Sequence, residues 1–159
     1  MGCYDSFRGK AASFNHNLRR NNSKNEEPRM LTQYARQYEQ TQVVTASGVQ
    51  LIVLLYDGAI QSIELARTGI ESNNPKDKGR FLGRAISIIG ELNSVLDFEQ
   101  GGEIARSLHR LYEYMLSELV TANLRNEARQ LDGPHRCLTT LREGWREIAT
   151  QQTRLAGVR

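Results

Sequence analysis

The sequence predicts an all-α fold: an antiparallel up-down four-helix bundle preceded by an N-terminal arm or short helix. Three observations carry this. From Ser47 onward apolar residues recur at three- and four-residue steps in four successive runs, and no run alternates as a strand would. The runs are separated by Asn73-Asn74-Pro75, Gln100-Gly101-Gly102 and Asp132-Gly133-Pro134, all strong breakers. The connections are short, which favours antiparallel neighbours.

The first helix is predicted over residues 47–72. Ser47 can accept from a first-turn amide while Gln50 reaches back to the amide of Ser47. Leu51, Leu55, Ala59 and Ile63 then form one stripe, and Ile52, Tyr56 and Ile60 form the stripe beside it. A helix apolar over so much of its circumference buries more than one face, against its own bundle or against a partner. Gly58 falls inside this helix, where it costs about 1 kcal/mol relative to alanine. Close approach of a neighbouring or partner helix is one reason to keep it, and neutral drift is the other.

A second helix is predicted over residues 77–98. Its stripe of Leu82, Ala85, Ile89, Leu92 and Leu96 has the near-heptad spacing of left-handed bundle packing, widened by Ile86, Ile88 and Val95. The third, over residues 102–124, carries Ile104, Leu108, Leu111, Met115, Leu119 and Ala122, with Ala105, Tyr112 and Leu116 alongside. The fourth is the weakest. Asp132 reads as an N-cap with Pro134 in the first turn, followed by Leu138, Leu141, Trp145 and Ile148. Fraying is expected over residues 151–159.

Ahead of the bundle, residues 1–29 are rich in Asn, Ser, Arg and Lys and show no period. They are expected to be a disordered leader, a tag or an upstream start before Met30. Residues 30–46 hold Leu31, Tyr34, Tyr38, Val43 and Val44 among polar residues, the composition of a docking arm. The bundle domain is placed at residues 47–150.

The chain has 159 residues and a net charge of +3. The first thirty residues hold six Lys/Arg against three Asp/Glu, which is the whole excess. The bundle is therefore neutral, unlike a nucleic-acid-binding face. The longest unbroken apolar run, Leu51 to Tyr56, is too short to span a bilayer. Cys3 and Cys137 have no metal spacing and read as free thiols in a reducing compartment. His16, His109 and His135 are scattered, with no Glu-x-x-His or His-x-x-x-His pair of the kind metal bundles use. Gly101-Gly102 precedes a helix, but no GxxxxGK follows and Glu103 would repel a phosphate. No catalytic residue, metal ligand or cofactor site is predicted.

One set of residues resembles a known family. Tyr38, Thr45-Ala46-Ser47, Leu51 and Leu55-Tyr56-Asp57-Gly58-Ala59-Ile60 come first, then Ala85, Ile88-Ile89-Gly90-Glu91-Leu92 and Leu96-Asp97. Gly101-Gly102-Glu103-Ile104-Ala105, Leu108, Leu111-Tyr112-Glu113-Tyr114-Met115, Leu119 and Ala122-Asn123 follow, and Leu141-Arg142 and Trp145 close the series. In this order, over about residues 34–148, the pattern resembles the FliS family of flagellin-specific export chaperones.

The resemblance implies an antiparallel helical bundle without catalysis or cofactor. It implies a cytoplasmic protein that binds the disordered C-terminal segment of flagellin, prevents premature polymerisation and assists delivery to the flagellar export apparatus. No nucleic acid and no membrane insertion are implied. Such a client would fold as it docks on spare apolar surface. By carry-over the arm with Tyr34 and Tyr38 covers part of a groove lined by Leu55, Tyr56, Asp57, Ile86, Ile89, Leu92, Asn93, Leu96 and Asn123. Asn93 and Asn123 would bond the client's backbone. The competing structural reading is that these apolar faces simply form the bundle core. The competing functional reading is an adaptor for another secretion or regulatory helix. Two departures from the family pattern stand out: Gly48-Val49 where a proline is common, and Pro134, which would kink or shorten helix four.

Overall fold

The computed structural model describes residues 48–157. Among them are four helices, α1 (Gly48–Glu71), α2 (Pro75–Ser94), α3 (Phe98–Arg125) and α4 (Asp132–Gly157), with one 3-10 turn, Ala128–Leu131, before α4. There are no strands among the described residues, and the predicted all-α bundle is what forms. The Ser47 cap, the leader over residues 1–29 and the arm over residues 30–46, with Tyr34 and Tyr38, lie outside the described residues.

The breakers act through their side chains. Asn73 adopts a left-handed conformation (φ 51°). The amide of Asn74 then reaches the Gly69 carbonyl at 2.8 Å and the amide of Asn73 the Ile70 carbonyl at 3.1 Å, closing α1 in a Schellman motif. Asn74 at once starts the next helix, its Oδ1 accepting from the Asp77 amide at 3.1 Å. Pro75 occupies the first helical position, where its missing amide costs nothing. This cap starts α2 two residues before the predicted Asp77.

Two other boundaries also move. Helix two was expected to run to Phe98, but α2 stops at Ser94 and Asp97 becomes the N-cap of α3. Its Oδ1 accepts from the amides of Glu99 and Gln100 at 3.0 and 3.1 Å. The two glycines thus lie inside the start of α3 instead of ending α2, and Gly102 bends it (φ 50°, ψ −129°), a conformation closed to other residues. Asp132 is not an N-cap. It is already helical, and its carboxylate accepts from Arg67 Nη2 at 2.6 Å across the α1–α4 rim. Pro134 does not delay α4: as its third residue it donates no amide the helix needs, and it is buried. The helix continues through residues 151–157, where fraying was expected, although Leu155 there is 75% exposed.

α1 packs most extensively on α2 and next on α4, α2 packs on α3, and α3 touches α4 least. α1 and α3 therefore stand diagonally across the bundle. Ile63, Ile89, Leu92, Met115, Leu119 and Leu138 are fully covered at its centre. Burial of each such side chain stabilises the fold by about 1.5–3 kcal/mol. Both apolar stripes of α1 are needed because it has a neighbour on each side. From Gly48 to Ile60 no residue of α1 is exposed, Gly58 included.

One polar layer crosses the core. The hydroxyls of Tyr56 and Tyr112 share a hydrogen bond at 2.5 Å across the α1–α3 diagonal. The indole of Trp145 on α4 also donates to Tyr56. Burial pushes the ionisation of both phenols above the usual tyrosine range.

Candidate partner-binding surface

The groove residues inferred from sequence divide sharply. Leu55, Tyr56, Ile89, Leu92 and Leu96 are in the buried core cluster. Asp57 sits on the α1–α4 rim, accepting from Arg142 Nη1 at 3.0 Å and from Arg146 Nη2 at 3.2 Å. Three come together on one seam, between α2 and α3: Ile86, Asn93 and Asn123.

The α2 wall of that seam is Gly79, Gly83, Ile86, Gly90 and Asn93, steps of four and three that keep them on one face. Facing it on α3 are His109, Glu113, Leu116, Val120 and Leu124. The register is fixed at both ends. At one end Asn93 Nδ2 donates to Glu113 Oε1 at 2.8 Å, while its Oδ1 accepts from His109 Nδ1 at 2.8 Å. This acceptor requires the proton of His109 to be on Nδ1. Phe98 packs edge-on against the same imidazole, 5.6 Å between centroids. At the other end Lys78 Nζ donates to the carbonyl of Asn123 and to Asn126 Oδ1, both at 3.2 Å, closing the C-terminus of α3.

Between these ends the seam is open and apolar. Ile86 and Leu116 are half-buried against the core. Val120 is 46% exposed and Leu124 is 80% exposed. A methyl group built on Gly79, Gly83 or Gly90 would touch nothing. The result is a shallow groove about 20 Å long, estimated from the helical rise. Its floor is low enough for a third helix to approach closely.

Sequence reasoning named only Asn123 on α3 and missed its apolar wall. Its signal was present: Leu116, Val120 and Leu124 repeat at four-residue steps, off the stripe that makes the core. Elsewhere on α3, Ile104, placed in the core stripe by sequence, is 63% exposed, and Tyr114 is 45% exposed with its ring against Gly133 at the start of α4. Among the described residues no three His, Cys, Asp or Glu side chains gather where a metal ion could sit. Among the described residues α1 alone could pass for a membrane span by length and composition, but over half of that window is buried inside the bundle.

The family model described as "Flagellar protein FliS" matches residues 30–152, most of the chain and all of the bundle core. The chain belongs to the FliS family. It is 40% identical over 119 residues to flagellar secretion chaperone FliSB of Pseudomonas aeruginosa, covering 75% of this chain and 94% of that protein. It is also 40% identical over 117 residues to flagellar secretion chaperone FliS of Salmonella typhimurium, covering 73% and 87% of the two chains. Flagellar secretion chaperone FliS of Bacillus subtilis is 34% identical over 110 residues, covering 69% and 81%. Every seam residue named above lies within the matched FliS region.

Proposed function

We propose that this chain is a cytoplasmic flagellar secretion chaperone that binds the C-terminal segment of flagellin, prevents its premature polymerisation and hands it to the export apparatus. The observation that carries the binding surface is the open α2–α3 seam, where Val120 and Leu124 are exposed beside half-buried Ile86 and Leu116. Membership of the FliS family, whose matched relatives are named flagellar secretion chaperones, supports the export role. A client segment that is unfolded before assembly gains an apolar surface on which to form an amphipathic helix. Binding, not catalysis, is the activity this surface offers.

Asn93 and Asn123 are at opposite ends of the seam, and Ile86 is near its middle. Leu55, Tyr56, Ile89, Leu92 and Leu96 support the groove from beneath, and Asp57 braces α1 against α4. The test is a titration of the flagellin C-terminal segment encoded by the same genome against Ile86→Asp and Leu124→Asp. Each carboxylate would be buried unpaired under the client, so affinity falls by about tenfold or more. Leu124 is outside the core, so L124D keeps the wild-type circular dichroism and melting temperature. Wild-type affinity in L124D would remove the client from this seam.

A further inference from the structure

We propose that the distal half of α4, from Gly144 to Gly157, is a hinged strap that opens from the bundle as one unit while α1, α2 and α3 remain folded. α4 is buried unevenly. Its buried side chains, Pro134 and Leu138, both lie in its first two turns, whereas the buried residues of α1 run from Val49 to Ile70 and those of α3 from Gly101 to Ala122. Past Leu138 the apolar stripe continues on one face through Leu141, Trp145, Ile148 and Leu155, but it leaves the core by degrees. Leu141 and Trp145 are half-buried, and Ile148 and Leu155 are exposed. α3 touches α4 least and leaves its own Ile104 uncovered. Few buried apolar contacts and many exposed backbone hydrogen bonds are the marks of a segment that opens well before the whole fold does.

Local chemistry sets where the helix gives way. A methyl on Gly144 would touch nothing, so no close approach requires that glycine, and it weakens the helix there. Beyond it the hydroxyls of Thr150 and Thr153 donate back to the carbonyls of Arg146 and Ala149, at 2.9 and 3.1 Å, a pattern that loosens and bends helices. One cluster latches the strap at its proximal end. The Trp145 indole donates to Tyr56, and Arg146 Nη2 donates to Asp57 at 3.2 Å, beside Arg142 of the proximal half. The ion pairs Arg67–Asp132, Glu64–His135 and Asp57–Arg146 set an antiparallel register that lays the strap along the first turns of α1 and brings Gln152 level with Gln50. The side-chain oxygens of these two glutamines are buried, and neither has a hydrogen-bond partner among the described residues. A buried oxygen left unpaired is costly, and opening returns both to water. A few polar contacts at one end thus hold the strap, and unpaired oxygens farther along oppose them.

The test is native-state hydrogen exchange of the full chain, read residue by residue by NMR. Amides of residues 148–155 are expected to share one protection factor, about tenfold or more below that of the buried turns of α1, α2 and α3. Protection that falls gradually toward Gly157 would mean terminal fraying and overturn the single unit. Protection equal to that of the core would overturn the strap. Two glycine variants locate the opening. Gly144→Ala slows exchange of the strap about two- to fivefold, and no slowing contradicts the hinge. Gly83→Ala strengthens α2 by a similar amount but leaves strap exchange unchanged, because α2 is folded in both the closed and the open state. Equal slowing by Gly83→Ala would mean that the strap exchanges only when the whole bundle unfolds, which overturns the proposal. Trp145→Phe removes the bond to Tyr56 and speeds strap exchange about two- to tenfold. An unchanged rate in that variant contradicts the latch.

Discussion

Tyr56 and Tyr112 are the residues on which the bundle's interior polarity turns. Each hydroxyl is removed from water and bonds the other across the diagonal at 2.5 Å, and Tyr56 takes a second bond from Trp145. Folding raises the pKa of both phenols, so above the ordinary tyrosine value the folded chain holds protons that the unfolded chain has released. The stabilising difference is therefore complete below about pH 10 and is lost as pH rises beyond it. Urea unfolding should give a stability independent of these groups from pH 7 to about pH 9 and a decline above about pH 10. The double variant Tyr56→Phe/Tyr112→Phe should decline less steeply. An equal alkaline slope in that variant would mean that the pair does not titrate with folding. Tyr56 also shows why sequence patterning alone could not separate groove from core. The residue lies on the second stripe of an unusually apolar helix, and only the neighbours on both sides of α1 show that this stripe is enclosed.

At the scale of the elements, two glycines of similar appearance do opposite things. Gly69 lies where the end of α1 meets the start of α2. A methyl there would come within 2.7 Å of the Lys78 amide nitrogen, which is backbone and cannot swing aside. Gly83 faces the open seam and would meet nothing. Gly69→Ala should thus destabilise the fold by about 1–3 kcal/mol. Gly83→Ala should stabilise it by about 0.5–1 kcal/mol by raising helix propensity. Denaturant midpoints decide both, and equal shifts of the same sign would contradict the helix contacts described here. The number of helices and most of their core stripes were legible in the sequence because 3.6-residue periodicity is a local property. Their ends were less legible. Asn74 and Asp97 each cap a helix through one side chain, and these outweighed the Gly101-Gly102 pair that composition marks as the stronger break. The exposure of Leu116, Val120 and Leu124 was hidden for a related reason: a second apolar row reads as core width until the neighbouring helix is seen to leave it uncovered.

For the whole molecule, the asymmetry of packing is the informative feature. α1 is clasped between α2 and α4, whereas α3 leaves Ile104, Val120 and Leu124 exposed. The spare surface that the sequence located on helices one and two therefore resides on α3 and the adjoining edge of α2. Ile86, Asn93 and Asn123 are the three predicted residues that meet there. The resemblance found in the sequence pointed to the family that the comparisons show, because its motifs span the whole bundle. The division of those residues between support and contact depends on packing around them. A bundle that offers a groove to an unfolded partner should bury apolar area only when that partner folds onto it, with the negative heat-capacity change that such burial carries. The most direct measurement is calorimetric titration of the full chain with the C-terminal segment of flagellin from the same genome at several temperatures. Saturable binding with an enthalpy that becomes steadily more negative on warming is the predicted result; no saturable heat at micromolar protein, with the chain folded, would contradict the account.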